Sequence, residues 1–279
     1  MILFVTKADG TKQPYDRKKI LRTCLRMGVT REIAEKVAGR VETNMYEGIE
    51  TKKLLQMIFR YLSKYKPSVK YRICLRKGLS LMKPKPDFER FIQILLSEHD
   101  YTVASNQIVR GKCVEHEIDA VAEKDGETYI VEVKHHYNYH TPTGLDESRI
   151  ARAVFEDITE GFKLGLNNLK VDSAMIVCNT KFSQHAKRYA DCRGIRKIGW
   201  STPPNHGLQD MIEEKKLYPV SCLKGLDTKT REKLASTGVL LVKQLTTAKP
   251  EEIRRQVEIP RKTLASLIEK ANRIVSERG

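Results

Sequence analysis

The sequence has six cysteines, at positions 24, 74, 113, 178, 192 and 222, and no Cys-x-x-Cys pair or clustered spacing among them. That argues against a zinc site and a disulfide framework, and the thiols read as reduced core residues. No apolar run approaches the roughly 18 residues a membrane span needs. The opening Met-Ile-Leu-Phe-Val breaks at Lys7, short of a signal h-region. A soluble, cytoplasmic chain with no membrane partner is the expectation. Low-complexity tracts and solenoid-length repeats are also missing, so neither disorder nor a fibrous array is expected. At 279 residues and 40% hydrophobic, the chain is long enough for two or three modules with real cores.

Acid is scarce relative to base: 51 Lys and Arg stand against 35 Asp and Glu, for a net charge of +16. The excess is unevenly placed. Residues 1–83 carry 20 basic and 7 acidic side chains, residues 84–216 carry 18 and 21, and residues 217–279 carry 13 and 7. Basic flanks around a slightly acidic middle suggest polyanion-binding ends and a centre that gathers carboxylates for another purpose.

The pattern predicts three segments. Residues 1–83 read as a short strand at Ile2–Thr6, an Asp9-Gly10 turn, a helix capped by Asp16 near 17–27, and helices at about 30–45, 51–65 and 69–82. Lys83-Pro-Lys-Pro is a stiff connector, because proline forbids a continuing helix. Residues 84–216 read as a helix at 87–98 and strands at 101–109, 113–122 and 128–134. A helix at 146–165, a buried strand at 174–178, a Ser183-capped helix and a last strand at 195–200 follow. That order makes a mixed α/β sheet. Residues 217–279 show only short helices, punctuated by Gly225, Gly238 and Pro260. The fold class expected is α/β: a helical module, a mixed sheet, then a small all-α domain.

Chemistry is most readable in the central hairpin. Strand alternation puts Glu115, Glu117 and Asp119 on one face of Glu115-His-Glu-Ile-Asp-Ala-Val121, and Glu132 and Lys134 on one face of Tyr129-Ile-Val-Glu-Val-Lys134. Neighbouring carboxylates suit a hard divalent cation such as Mg²⁺ or Mn²⁺. A lysine two residues on can orient a water and offset charge at phosphorus. Alone, Glu-x-Lys is an ordinary solvated pair. Over about 87–200, however, the order of elements resembles the PD-(D/E)xK nucleases, specifically the Mrr-like restriction endonucleases and archaeal junction resolvases. The resemblance rests on Phe88-Glu89, Glu117-Ile-Asp119, Glu132-Val-Lys134 and Met175-Ile-Val-Cys-Asn179 followed by Phe182-Ser183. It implies that Asp119 and Glu132 ligate metal, that Lys134 serves the attacking water, and that Glu89 adds a carboxylate. His135, His136 and His140, at the strand exit, read as surface or packing residues more than as ligands.

The first segment holds Val5-x-Lys7-x-Asp9-Gly10, Asp16 with Lys19-Ile20, Gly48-Ile-Glu-Thr51, and Tyr71-Arg72 with Arg76. Capped helix starts and lysines suit phosphate. These residues resemble the ATP-cone, the regulatory nucleotide-binding domain of ribonucleotide reductase large subunits. The resemblance implies ATP or dATP as an effector, with Lys7, Gly10, Lys19 and Thr51 at the nucleotide. Ala8 and Leu55 depart from the usual Arg and polar residue. No Walker loop is present, so hydrolysis of the nucleotide is not expected.

Leu223-Lys-Gly-Leu-Asp227, Leu234-Ala-Ser-Thr-Gly-Val239 and Glu258-Ile-Pro-Arg-Lys262 resemble the helix-hairpin-helix-like N-terminal domain of archaeal and eukaryotic recombinases. This implies phosphate contacts from Gly225, Lys229, Lys233 and Lys262. Together the resemblances point to an archaeal chain acting as a Mg-dependent DNA endonuclease, an endodeoxyribonuclease regulated by nucleotide and expected as a homodimer. The alternative is a non-catalytic, nucleotide-sensing DNA-binding regulator. A third is an assembly protein that switches oligomeric state.

Overall fold

The computed structural model describes residues 3–276, so Ile2, the predicted start of the first strand, lies outside the described residues. Two compact units are present: one joins the chain up to Cys74 with the chain from Cys222 onward, and the other is Leu75–Ser221.

In the first unit, β1 (Phe4–Thr6) lies between β2 (Lys12–Pro14) and β3 (Ile49–Glu50), antiparallel to β2 and parallel to β3. Helices α1 (Arg17–Arg26), α2 (Arg31–Thr43) and α3 (Thr51–Leu62) pack with this sheet. Asp16 caps α1 by accepting from Lys18 N, and Thr30 caps α2 by accepting from Ile33 N, as short polar side chains do at helix starts. The core is made by Val5, Ile20, Cys24, Val37, Val41, Ile58 and Leu62.

The helix expected over 69–82 is broken. Pro67–Tyr71 is a single 3₁₀ turn and α4 spans only Leu75–Ser80. Between them the backbone is pulled out of helical pairing by the C-terminal segment: Ile73 N donates to Cys222 O at 2.8 Å and Lys224 N donates to Tyr71 O at 2.8 Å. A carbonyl and an amide used in this way are lost to an i to i−4 ladder.

In the second unit, one π turn over Pro84–Phe88 leads into α5 (Glu89–Glu98). A five-stranded sheet follows in the order β4 (Thr102–Arg110), β5 (Glu115–Lys124), β6 (Glu127–Lys134), β7 (Ser173–Cys178), β8 (Arg196–Ile198). The first three strands are antiparallel and the last two pairings are parallel. The β5–β6 turn uses Asp125 (φ 55°) and Gly126 (φ 80°), the left-handed pair that a two-residue hairpin turn needs. Crossovers run through α6 (Leu145–Lys163) and α7 (Gln184–Cys192), whose Ala151, Ile158, Ala186 and Ala190 pack on Ile130, Ala174 and Ile176. Ser183 caps α7 by accepting from Ala186 N. Phe88, Phe91, Ile92, Leu95 and Leu96 are fully buried, and α5 packs on β4 and β5. A short α8 (Leu208–Glu214) completes the unit.

The C-terminal residues form α9 (Thr228–Ser236), α10 (Val242–Thr247), α11 (Pro250–Gln256) and α12 (Arg261–Ser276) around Leu234, Leu241, Leu245, Leu264 and Leu267. The whole is α/β in the order anticipated. Among the described residues, no helix is long and apolar enough to cross a membrane.

Candidate active site

The β5–β6 register, with Ala120 opposite Val131, puts Asp119 opposite Glu132 at the mouth of the hairpin. There the ladder is replaced by a side chain: Asp119 Oδ2 accepts from Val133 N at 2.8 Å. Its own carbonyl accepts from Gln93 Nε2 of α5 at 2.8 Å. Asp119 is thus held from both sides and is 6% exposed. Glu89, in the first turn of α5, is 5% exposed. Burial, then the charge of Asp119, pushes its carboxyl up to about 6, against the pull of Lys85.

Glu132 and Lys134, two residues apart on β6, share a face, as alternation predicts. Lys134 Nζ lies 2.8 Å from Glu132 Oε1 and 3.1 Å from Glu147 Oε2, on the first turn of α6. Burial raises the Glu132 carboxyl above the ordinary range, with Lys134 opposing and Asp119 and Glu147 adding to the rise. Burial works against charge on Lys134, but the bonds to Glu132 and Glu147 win and hold the ammonium charged. Asp119, Glu132, Lys134 and Glu89 therefore form one electrostatic cluster.

Three members of this neighbourhood were not singled out from the sequence. Lys85 Nζ lies 3.2 Å from Glu89 Oε1, 3.2 Å from Asp119 Oδ1 and 3.3 Å from Glu117 Oε1. Burial disfavours its charge, yet Glu89 and Asp119 outweigh that and raise its proton affinity well above the ordinary lysine. Glu147 and Gln93 are the other two. Among the described residues, no three Asp, Glu, His or Cys side chains close to metal-ligand distance. The carboxylates stand instead at hydrogen-bond distance around an ammonium. Carboxylate oxygens are hard donors of the kind a divalent cation takes, and here it is the Lys85 ammonium that they hold.

The neighbouring histidines pack. His135 Nε2 donates to Leu79 O at 3.0 Å with its ring edge-on to Phe88, and burial lowers its basicity. His136 binds Asn179 Oδ1 through its backbone N–H and pairs its ring with Thr143 Oγ1. His140 tilts against Tyr139.

In the first unit, the parallel register ends with Thr6 opposite Glu50; Lys7 follows at the start of the hairpin turn and Thr51 opens α3. Gly10 closes the hairpin turn at φ 79°, donating to Lys7 O at 3.0 Å. Lys19 Nζ reaches Gln13 Oε1 at 3.4 Å. In the C-terminal helices, Gly225 takes φ 82° ahead of the Asp227 cap, and Lys229 and Lys262 are exposed. Lys233 Nζ donates to Glu258 O, which ties it to the chain.

Family models match three stretches in succession: the ATP cone domain over residues 3–77, a restriction endonuclease domain over 81–198, and an AF1548-like C-terminal domain over 218–275. An uncharacterized protein of Archaeoglobus fulgidus is 37% identical over 182 residues, 65% of this chain and 98% of that protein. A second uncharacterized protein of the same organism is 54% identical over 41 residues, 15% of this chain and 87% of its own length. The crystal structure of AF1548, described as a protein of unknown function, superposes with a TM-score of 0.58 at 36% identity, covering 68% of this chain and 97% of its own. These matches fall on the connector, the sheet and the helices whose geometry is described above. The chain belongs to the AF1548-like family, with an ATP cone domain ahead of a restriction-endonuclease domain and the family's C-terminal domain.

Proposed function

We propose that this protein is a Mg²⁺- or Mn²⁺-dependent DNA endonuclease that hydrolyses phosphodiester bonds, with ATP or dATP bound by the cone as an effector. The observation that carries the reading is the convergence of Asp119, Glu132 and Lys134, with Glu89 beside them, at one end of the β5–β6 hairpin. Asp119 and Glu132 would hold the ion. When bound, such an ion supplies Lewis-acid polarisation of a phosphoryl oxygen and a more acidic water. Lys134, steadied by Glu132 and Glu147, donates to the attacking water and offsets negative charge developing on phosphate oxygens. Glu89 adds negative potential to the site from the first turn of α5.

Lys7, Gly10, Lys19 and Thr51 are the proposed nucleotide contacts, and Gly225, Lys229, Lys233 and Lys262 the proposed DNA contacts. The basic flanks supply backbone affinity that falls steeply with salt. A homodimer would let two such sites cut both strands.

The test is cleavage of plasmid, branched and single-stranded DNA in Mg²⁺ or Mn²⁺, with and without ATP or dATP, beside Lys134→Ala. Cleavage by the wild type that the substitution abolishes, while DNA binding persists, supports the reading. Equal inertness of both proteins on every substrate, with DNA still bound, overturns it in favour of the regulator. The ammonium of Lys85 lying among the carboxylates is the specific observation on the regulator's side.

A further inference from the structure

Lys85 sits in the Lys83-Pro-Lys-Pro connector that sequence alone marks as a spacer, yet its side chain reaches three carboxylates of the second unit. An ammonium has three donors and no acceptor. Here those three donors match three carboxylates: Glu89 and Asp119 at 3.2 Å and Glu117 at 3.3 Å. Asp119 Oδ2 is already occupied by Val133 N, so Lys85 takes the other oxygen, Oδ1, the one left to face a cation. The partners differ in freedom. Glu89 and Asp119 side chains are each 7% exposed and anchored in α5 and β5, whereas the Lys85 side chain is 60% exposed. Glu89 and Asp119 cannot leave, but the lysine, like the 70% exposed Glu117 side chain, can swing into solvent, where its charge is well hydrated and its rotamers are freed.

We propose that Lys85 is a built-in competitor of the divalent cation: its ammonium neutralises the Glu89–Glu117–Asp119 cluster in the metal-free protein and has to leave before the ion can use Asp119 Oδ1. This rests on the metal-dependent reading above and adds a residue that sets metal affinity. A dication and an ammonium on the same oxygen repel each other at close range, so simultaneous occupancy is disfavoured. The lysine has a second consequence in the absence of metal, because without it the buried Glu89 and Asp119 carboxylates face each other with no cation between them. One residue thus stabilises the metal-free protein and weakens the metal-bound one. The opposite role, a fixed cation that helps hold the site together for the ion, predicts the reverse effect on affinity.

The experiment is titration of the full chain with Mn²⁺ alone, followed by electron paramagnetic resonance of the free ion and by calorimetry. Wild type, Lys85→Met and Lys85→Gln are compared, with Asp119→Asn as the control for the site. Thermal unfolding in chelator and in Mn²⁺ is recorded for each. Both Lys85 variants should bind Mn²⁺ at least tenfold more tightly than wild type. Both should melt lower than wild type in chelator and gain more from Mn²⁺, while Asp119→Asn should lose the ion. Having two replacements of different polarity keeps the result independent of one side chain's packing. Equal or weaker Mn²⁺ binding by a folded Lys85 variant overturns the competitor role and leaves the metal site standing. Failure of every protein, wild type included, to take up Mn²⁺ overturns the metal-dependent reading and this inference with it.

Discussion

Glu89→Gln should make the metal-free protein more stable at neutral pH while removing a site carboxylate. Glu89 is 5% exposed, beside Asp119, and its carboxyl is displaced from an ordinary 4.5 to about 6. Because the folded value lies above the unfolded one, the folded state keeps a proton between those two pH values that the unfolded state has released. Stability therefore falls as pH rises from about 4.5 to about 6, and the loss is complete above that. At 1.36 kcal/mol per pH unit this amounts to about 2 kcal/mol at pH 7. Glutamine copies the neutral carboxyl in shape, so Glu89→Gln should recover about 2 kcal/mol, or roughly 4–8 °C for a unit of this size. The assay is thermal unfolding of both proteins in chelator across pH 4 to 8. The variant's advantage should shrink to nothing toward pH 4.5 and reach its full size above pH 6. A variant less stable than wild type at pH 7.5, or a difference that does not change with pH, would refute the reasoning, since the first means that Lys85 more than compensates the burial of Glu89 and the second that it cancels it.

Two further outcomes follow from packing and pairing away from this carboxylate cluster. Asp157 on α6 accepts from Cys113 N at 2.8 Å, from Val114 N at 3.3 Å and from His116 Nε2 at 2.8 Å, which hold its carboxyl well below the ordinary range. A depressed folded value stabilises above the unfolded one and is lost on acidification, so the advantage of wild type over Asp157→Asn should shrink as pH falls from 4 to 2 in chemical denaturation curves. Gly161 lets α6 approach the end of β4: a Cβ there would lie 2.8 Å from Gly111 C and 2.9 Å from Arg110 O, both backbone. Gly161→Ala should destabilise by up to about 2 kcal/mol, because overpacking of about 1–3 kcal/mol outweighs the helix-propensity gain of roughly 1 kcal/mol. An unchanged denaturant midpoint would show that the turn yields.

The hairpin was legible because its information is local. Strand alternation in Glu117-Ile-Asp119 and Glu132-Val-Lys134 places carboxylates and lysine on the polar side before any partner strand is known, and Asp16 and Ser183 announce their helices by caps that act within three residues. Lys85 was not legible, since Lys-Pro-Lys-Pro reads as a spacer until α5 and β5 bring Glu89, Asp119 and Glu117 within 3.3 Å of its ammonium. In sequence, Glu147 is one more charge in the first turn of a long helix, and only the tertiary placement of α6 brings it 3.1 Å from Lys134. Gln93 carried no signal at all beyond being a polar residue on an apolar helix.

What the sequence by itself determined is therefore the periodic and the adjacent: element types, caps, the Glu-x-Lys spacing and the order of three segments. Tertiary structure decided what depends on contacts across long separations. It interrupted the helix expected over 69–82 by giving Tyr71 O and Ile73 N to the strand-like pairing with Lys224 and Cys222. It also chose which cation sits among the carboxylates. Propensity and alternation act over a turn or a pleat, whereas a backbone hydrogen bond or an ion pair goes to whichever group folding brings within about 3 Å.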